Sequence, residues 1–113
     1  MATLAPVRAG ATAYEFTKRD RRATGDPLVS ILIPAYSPRF FAACLDSALV
    51  QGYANVEIVV CDDSPDSTIA QIVELRADAR PIRYLRNPVR LGVRADYRRC
   101  FESARGEFVK FLC

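Results

Sequence analysis

The chain has 113 residues, half of them hydrophobic and about a quarter charged, and its formal net charge is +3. This length allows at most one small domain, and the composition is that of an ordinary globular protein. The sequence contains no histidine, and its cysteines have no C-x-x-C spacing. These facts exclude the usual zinc patterns and the nucleophile designs that depend on histidine. The longest apolar runs are too short to cross a bilayer.

Residues 1–26 show no hydrophobic period and no secretory signal. They contain Pro6, Gly10 and Gly25 together with a charged cluster at 18–22. We therefore expect a loosely structured leader with at most a short helix around 13–19. The structured part is predicted to be residues 27–113.

Three of the cysteines, Cys44, Cys61 and Cys100, lie within apolar patterns. We expect them to be small core residues with free thiols. Such thiols are typical of a protein in a reducing compartment.

The structured part begins with an apolar run and a helix signal. Val29–Ile33 follows Pro27 and is apolar on both faces, which is typical of a central parallel strand. Ser37 and Pro38 have the residue types of a helix N-cap and first helical position, and Gly52 provides a stop. The predicted inward face of this helix comprises Phe41, Cys44, Leu45, Ala48 and Leu49.

The same alternation continues to the end of the chain. A second strand is predicted over Val56–Cys61, and after a turn-rich loop a helix over Ser67–Ala79, which Pro81 ends. A third strand covers Ile82–Leu85, and a further helix begins after Gly92. The third helix is predicted to stop at Gly106, and a fourth strand follows over Glu107–Cys113. The predicted inward positions are Ile69, Ile72, Val73 and Ala79 in the second helix and Val93, Tyr97, Cys100, Phe101 and Ala104 in the third.

The element order β-α-β-α-β-α-β predicts an α/β fold, with a Rossmann-like and mostly parallel sheet of about four strands. In open α/β sheets, ligands bind just beyond the carboxyl ends of the strands. The residues that directly follow each strand are therefore the first candidates for chemistry.

Two adjacent carboxylates, Asp62 and Asp63, follow the second strand. A carboxylate there can accept a hydrogen bond from a nucleobase N–H or coordinate a metal. The alternative is that the pair orders the next loop through its backbone N–H groups, as aspartate commonly does in turns. We predict ligand contact for Asp63, while Asp62 is a candidate for either role.

Pro34, Ala35 and Tyr36 follow the first strand. The proline is expected to stop the strand ladder, and the small alanine lets a ligand approach the backbone. Tyr36 offers a flat face on which a base can stack. The alternative for Tyr36 is an aromatic lid over the core.

Positive charge is concentrated between Arg76 and Arg99, where eight arginines face only Asp78 and Asp96. This segment is either a solvated face or a field that favours an anionic ligand such as a diphosphate. Nucleic acid is a third option, but the sequence has no interleaved aromatic platform for it. No glycine-rich phosphate motif is present, so a phosphate must be held by a metal or by arginines. The candidates are Arg90 in the turn and Arg94 and Arg98 on the helix after Gly92, and of these we select Arg94.

A family resemblance joins these residues. The segment VSILIPAYSPRFFAACLDSALVQGYANVEIVVCDDS resembles the opening of the family 2 glycosyltransferases, which have the GT-A fold and use nucleotide-diphosphate sugars. The segment LGVRADYRRCFESARGEFVKFLC is similar to the fourth-strand region of that family. The resemblance covers residues 27–113 and implies the N-terminal, nucleotide-binding part of a GT-A domain, incomplete at its C-terminus.

The resemblance implies roles for residues already chosen. Tyr36 would stack on the nucleotide base, Pro34 and Ala35 would line the site, and Asp63 would hold the base edge. The implied activity is transfer of a sugar from a nucleotide-diphosphate donor to a sugar or lipid-linked sugar acceptor. Envelope or surface polysaccharide synthesis, in the cytoplasm or at the inner face of the membrane, is the implied setting.

The chain departs from the family pattern in two places. Asp96 and Arg98 stand in a helix where the family often has asparagines. The family's acidic Asp-x-Asp motif, which binds Mg or Mn, is due where the sequence reaches Cys113. We therefore expect the metal site and the catalytic base in a further C-terminal half. We also expect no catalytic residue and no transfer activity in these 113 residues alone.

Other functions remain to be weighed. A non-catalytic nucleotide-binding module is the alternative that the lack of an acidic motif favours. A phospho-accepting signalling domain needs an acidic pair after the first strand and another aspartate after the third, where Pro34–Tyr36 and Arg86–Asn87 stand instead. A nucleotidyltransferase would need a glycine-rich loop after the first strand, which is absent.

Overall fold

The computed structural model describes residues 26–112. The predicted leader lies outside the described residues except for Asp26. The strands are β1 (Val29–Ala35), β2 (Val56–Asp62), β3 (Ile82–Arg86) and β4 (Phe108–Phe111), and the helices are α1 (Phe41–Leu49), α2 (Thr68–Glu74) and α3 (Val93–Ser103). The predicted element order and the α/β class are confirmed.

All strand pairs are parallel, and the sheet order is β3-β2-β1-β4. The chain passes from β1 through β2 to β3, then returns to the other side of β1 to form β4. The strand order therefore reverses between β1 and β4. A reversal of this kind opens a crevice at the carboxyl ends of the strands, where ligands bind in open α/β sheets.

The sheet is buried on both faces because its central strands are apolar at successive positions. Side chains alternate between the faces of a strand, so Ile31 and Ile33 of β1 join the core on the side of α1 and α2. Leu32 points the other way and packs with Cys100 and Ala104 beside α3. Full burial of each large aliphatic side chain contributes about 1.5–3 kcal/mol.

The predicted strand stop at Pro34 is wrong. β1 continues through Pro34 to Ala35, with Pro34 opposite Cys61 in the parallel register. A proline removes only its own N–H donor, and the pairing resumes beyond it, where the N–H of Asp63 donates to the carbonyl of Ala35 at 2.8 Å. The strand thus carries its last residues directly to the edge of the crevice.

The predicted helix start at Ser37 and Pro38 is also wrong, since α1 begins at Phe41. The Ser37 hydroxyl accepts a hydrogen bond from the N–H of Arg39 at 3.2 Å, and the N–H of Phe41 bonds to the carbonyl of Pro38 at 3.2 Å. These bonds form a turn before the helix. The predicted inward face of α1 is otherwise confirmed, with Leu49 half-buried at its edge.

Helix α2 ends at Glu74, earlier than predicted. The following residues form tighter turns, in which the N–H of Arg76 bonds to the carbonyl of Val73 at 3.0 Å and that of Ala79 to the carbonyl of Arg76 at 3.1 Å. Ala79 is therefore exposed and not inward as predicted. Ile69 and Val73 are buried as expected.

The buried face of α3 differs from the apolar face predicted for it. Asp96 and Cys100 are its buried residues, whereas Val93 is 67% and Phe101 49% exposed. Cys100 packs on Leu32 and Val59 of the central strands, so the side of α3 that carries Cys100 is the side that the sheet buries. The predicted inward positions Cys100 and Ala104 are confirmed, and Tyr97 stacks on Phe111 of β4 with ring centroids 5.0 Å apart.

The cysteines divide into two groups. Cys61 and Cys100 are buried and free, as expected. Cys44 is buried but disulfide-bonded, so the expectation of a free core thiol there is wrong. Within residues 26–112, no helix has the length and apolar character needed to cross a membrane.

Candidate functional site

Two adjoining cavities lie beyond the carboxyl end of β1, beside the start of α3. The smaller one, about 40 Å³, is lined by Pro34, Ala35, Tyr36, Asp63, Arg90, Val93, Asp96 and Tyr97. The larger one, about 350 Å³, shares five of these residues and adds Ile33, Ser37, Phe40, Phe41 and Cys44. A mostly apolar chamber therefore opens beside a narrow pocket that holds two carboxylates. This is the crevice expected from the reversal in strand order.

Asp63 organises the loop between β3 and α3. Its Oδ1 accepts hydrogen bonds from the backbone N–H of Leu91 at 2.7 Å and from Asn87 Nδ2 at 2.8 Å. Its Oδ2 accepts from the N–H of Gly92 at 2.9 Å, where φ of +91° favours glycine. Burial disfavours the charged form, but these bonds outweigh it and hold the pKa of Asp63 below its usual value. Asp63 is thus a charged acceptor at the pocket wall.

Tyr36 and Arg90 form a stacked pair at the mouth of the pocket. The guanidinium carbon of Arg90 lies 4.1 Å from the centroid of the Tyr36 ring, and Arg90 Nε lies 3.5 Å from Asp63 Oδ2. Tyr36 is 43% exposed. The guanidinium of Arg90 therefore covers one face of the Tyr36 ring as a cation–π pair.

Asp62 has no exposed surface and is surrounded by donors. Its Oδ1 accepts from the N–H and hydroxyl of Ser64, at 2.8 and 2.6 Å. Its Oδ2 accepts from the hydroxyl of Tyr84 and from Arg86 Nη1 at 3.1 Å. This geometry favours loop ordering for Asp62, the alternative that the sequence left open, and its contact with a ligand stays an untested prediction.

A polar network behind the pocket joins Asp63 to α3. Asn87 Nδ2 donates to Asp63 Oδ1 and to Asp96 Oδ1, both at 2.8 Å, while Asn87 Oδ1 accepts from Arg99. Burial raises the pKa of Asp96 to about 6, and the nearby Asp63 carboxylate adds to the shift. Two buried carboxylates are thus held side by side by one amide group.

Arg94 lies outside this network. It is exposed and lines a separate groove of about 420 Å³ together with Leu91, Gly92, Val93, Ala95 and Arg98. The groove flanks the start of α3 and shares Val93 with the two cavities. Arg94 and Arg98 therefore put positive charge next to the crevice, and a phosphate contact by Arg94 stays a prediction.

The predicted site residues at the ends of β1 and β2 come together, because Pro34, Ala35, Tyr36 and Asp63 all line one pocket. Asn87 and Asp96 were not among the predicted site residues, and Arg90 was a candidate only for contact with phosphate. Asp96 stands four residues before the buried Cys100, which is one helical turn, and this spacing is the one signal that places it inward.

The described residues do not fit a metal ion. Within residues 26–112, no group of three or more acidic, cysteine or histidine side chains is placed to hold one. The oxygens of Asp62 are filled by protein donors, and Asp63 takes three hydrogen bonds from protein groups. Both carboxylates are thus already engaged by donors of the protein.

The model of the family "Glycosyl transferase family 2" matches residues 30–112. Among curated proteins, the Escherichia coli UDP-Glc:alpha-D-GlcNAc-diphosphoundecaprenol beta-1,3-glucosyltransferase WfgD is 38% identical over 89 residues. The match covers 77% of this chain and 34% of WfgD. The chain thus spans about a third of that relative's length.

Solved structures share the fold. Residues 1–349 of TarS from S. aureus, in complex with UDP-GlcNAc, superpose with a TM-score of 0.67 and 29% identity, over 74% of this chain and 25% of that chain. The mannosyltransferase PcManGT from Pyrobaculum calidifontis, in complex with GDP-Man and Mn²⁺, superposes with a TM-score of 0.61 and 26% sequence identity. The match covers 74% of this chain and 26% of PcManGT.

Proposed function

The chain belongs to glycosyltransferase family 2, and from this premise we propose that its crevice binds the nucleotide of a nucleotide-diphosphate sugar for transfer of the sugar to an acceptor. The observation that carries the proposal is the pocket beyond β1, where an aromatic ring and a charged acceptor meet. Tyr36 and Asp63 line the same narrow space. A nucleobase offers both complements, a flat π face and an edge with N–H donors.

Each predicted residue then has a defined part in binding. Tyr36 stacks on the base, and Pro34 and Ala35 form the floor beneath it. Asp63 Oδ2 accepts from the base edge, and Asp62 keeps the loop after β2 in shape. Arg94, in the groove beside α3, neutralises the diphosphate by charge. None of these groups is placed to act on the sugar itself, so the described residues bind and orient the donor.

The donor, acceptor and metal of the whole protein are part of the proposal. The related proteins named above act with UDP-linked or GDP-linked sugars, and WfgD acts on a lipid-linked diphosphate sugar. We take a lipid-linked sugar as the acceptor. PcManGT contains Mn²⁺, and we propose that Mg or Mn is used here too, held by residues other than 26–112.

The proposed location is the cytoplasm or the inner face of the membrane. The free buried thiols of Cys61 and Cys100 are compatible with a reducing compartment, whereas the disulfide of Cys44 is more typical of an oxidising one. Cell fractionation with a tagged protein tests this location. Recovery of the protein outside the cytoplasmic membrane would contradict it.

Nucleotide binding is tested by calorimetric titration of UDP and GDP into the purified protein and its Asp63→Asn variant. The substitution replaces one carboxylate oxygen by an amide NH2 group, so the N–H of the base loses its charged acceptor. The free energy of nucleotide binding should therefore weaken by about 1–3 kcal/mol. Asp66→Asn is the matched control, because Asp66 is an exposed carboxylate three residues further along. Melting curves of both variants separate lost binding from lost folding. Equal affinity in the Asp63 variant and the wild type would refute the assignment.

The second candidate function is a nucleotide-binding module without catalysis, which the lack of a metal cluster within residues 26–112 favours. Because no transfer is expected from these 113 residues alone, incubation of the full-length protein with radiolabelled UDP-sugars or GDP-sugars and lipid-linked acceptors separates the two. Transfer above the no-protein background supports the enzyme. Nucleotide binding without transfer supports the module.

A further inference from the structure

Asp96 is a buried carboxylate for which the proposed function has no use so far. It is 3% exposed and stands on the first turns of α3, against the ends of β2 and β3. Its Oδ1 accepts one hydrogen bond, from Asn87 Nδ2 at 2.8 Å. Among residues 26–112, no donor contacts its Oδ2. A carboxylate oxygen without a donor is costly in a fully buried position, but Asp96 lines the 40 Å³ pocket.

The pocket therefore offers two acceptors close together. Asp63 Oδ2 accepts one hydrogen bond, from the N–H of Gly92. Arg90 Nε faces the same oxygen at 3.5 Å, too far for a strong hydrogen bond, so the oxygen can accept another. Asp96 Oδ2 is the second acceptor. The Oδ1 atoms of Asp63 and Asp96 both lie 2.8 Å from Asn87 Nδ2, which keeps the two carboxylates next to each other. Arg90 supplies a donor at the same pocket, through the guanidinium that packs on Tyr36.

We propose that Asp96 is a specificity-determining residue that accepts a second hydrogen bond from the base, and that the site consequently prefers guanine over uracil. The inference rests on the proposed nucleotide site. The Watson–Crick edge of guanine carries a carbonyl, a ring N–H and an amino group in that order, which matches a donor and two acceptors. Arg90 meets the carbonyl, Asp63 the ring N–H and Asp96 the amino group.

Uracil fits the same wall less well. Its edge has a single N–H between two carbonyl oxygens, so one carbonyl would face the Asp96 carboxylate with no hydrogen between them. A site built to accept a hydrogen bond rejects a ligand that lacks the donor, because its own polar group is then buried unpaired. A hydrogen bond to a charged group typically changes affinity by about 10- to 100-fold.

The charge state of Asp96 supplies a second signature. The charged and polar groups that face it are Asp62 and Asp63 from the end of β2, Asn87 from the loop after β3, and Arg99 on its own helix. Burial, reinforced by the carboxylates, raises its pKa to about 6. Above pH 7 Asp96 is therefore an acceptor, and near pH 5 it is protonated and can donate. The preference for guanine should weaken across this range.

The test is calorimetric titration of three probes, GDP, IDP and UDP, into the purified wild-type protein at pH 7.5. IDP keeps the carbonyl and ring N–H of GDP and lacks only the amino group. We expect GDP to bind about 10-fold tighter than IDP and tighter than UDP. Equal affinity for GDP and IDP, or tighter binding of UDP, would overturn the inference and leave the nucleotide site intact. If none of the three binds, the proposed function fails and the inference fails with it.

Two variants sharpen the assignment to Asp96. In Asp96→Asn the side-chain amide oxygen can still accept the hydrogen bond from Asn87, and the amide NH2 group then faces the pocket. The difference in affinity between GDP and IDP should therefore vanish, and the affinity for UDP should rise. Asp96→Ala should also remove the difference. Asp78→Asn, an equal change of charge on an exposed loop, should leave it unchanged. A difference that persists in both Asp96 variants would contradict the inference.

Discussion

At the amino end of the sheet, Glu57 accepts hydrogen bonds from the Ser30 hydroxyl at 2.5 Å, the N–H of Arg105 at 2.7 Å and Arg83 Nη1 at 3.2 Å. At the carboxyl end, Asp63 accepts from Asn87 and from the N–H groups of Leu91 and Gly92. Both ends thus use a carboxylate to fix the entry or exit of α3. Among residues 26–112, only the carboxyl end adds further buried acids, Asp62 and Asp96, and a cavity that Asp63 and Asp96 both line.

The amino end is closed by close packing. A Cβ on Gly106 would lie 2.7 Å from the Leu28 carbonyl oxygen and the Ser30 hydroxyl, so the backbone there has no room for a ligand or even a methyl group. The Gly106 N–H donates to that hydroxyl at 2.8 Å. The difference teaches that similar carboxylate chemistry can serve stability at one end of a sheet and binding at the other. What separates the two ends is the space beside the acid.

The largest effect should come from Glu57→Ala. It strips the Ser30 hydroxyl and the Arg105 N–H of their acceptor and breaks the ion pair with Arg83, so the free energy of unfolding should fall by about 2–4 kcal/mol. Chemical denaturation measures it, with Glu74→Ala, an exposed helix position, as the control. Nucleotide affinity of the folded fraction should not change. A large loss of affinity with unchanged stability would break the comparison between the two ends.

Protonation of Asp96 should make stability rise as pH falls. Because burial raises its folded pKa to about 6, above the usual value for the unfolded chain, the folded state binds a proton first. The free energy of unfolding should increase by about 1 kcal/mol from pH 7 to pH 5. Below about pH 4 it should fall, because the pKa of Asp63 is held low by its hydrogen bonds. Denaturation curves of wild type and Asp96→Asn check this, and an equal rise in the variant would contradict it.

A smaller effect is expected from the open edge of β4. Phe108 is 60% and Phe111 39% exposed, and every residue of the strand is exposed. An apolar strand with a free edge invites pairing with other chains, so the chain should self-associate. Phe108→Thr should reduce association with a change in stability below about 0.5 kcal/mol. Light scattering over a concentration series measures it. A wild-type protein that stays monomeric at all concentrations would show that the exposed apolar residues of β4 do not cause self-association.

The framework of the fold could be predicted because it depends on local patterns. Runs such as Val56–Cys61 are apolar on both faces, and only a parallel sheet covered on both sides buries them. The general rule for ligand sites in such sheets then selected Tyr36 and Asp63. Both steps need nothing beyond neighbours in the sequence and the order of elements.

The interior of the pocket could not be predicted, because its contacts join distant residues. The bond from Gly92 to Asp63 spans 29 positions and that from Asn87 to Asp63 spans 24. The buried face of α3 was misjudged for a related reason. Hydrophobicity favoured Phe101 as well as Cys100, whereas the partners on the central strands cover Cys100 and leave Phe101 49% exposed.

The most direct test compares two tyrosines at opposite ends of the sheet. Tyr36 is 43% exposed at the carboxyl end, and Tyr53 is 36% exposed at the amino end, where its hydroxyl donates to the Pro27 carbonyl at 2.5 Å. Each is changed to alanine, and GDP and UDP are titrated into both variants. Tyr36→Ala should weaken the tighter-binding nucleotide by about 1–3 kcal/mol through lost stacking, while Tyr53→Ala leaves affinity unchanged. Equal losses in both variants, or a loss only in Tyr53→Ala, would contradict a nucleotide site at the carboxyl end.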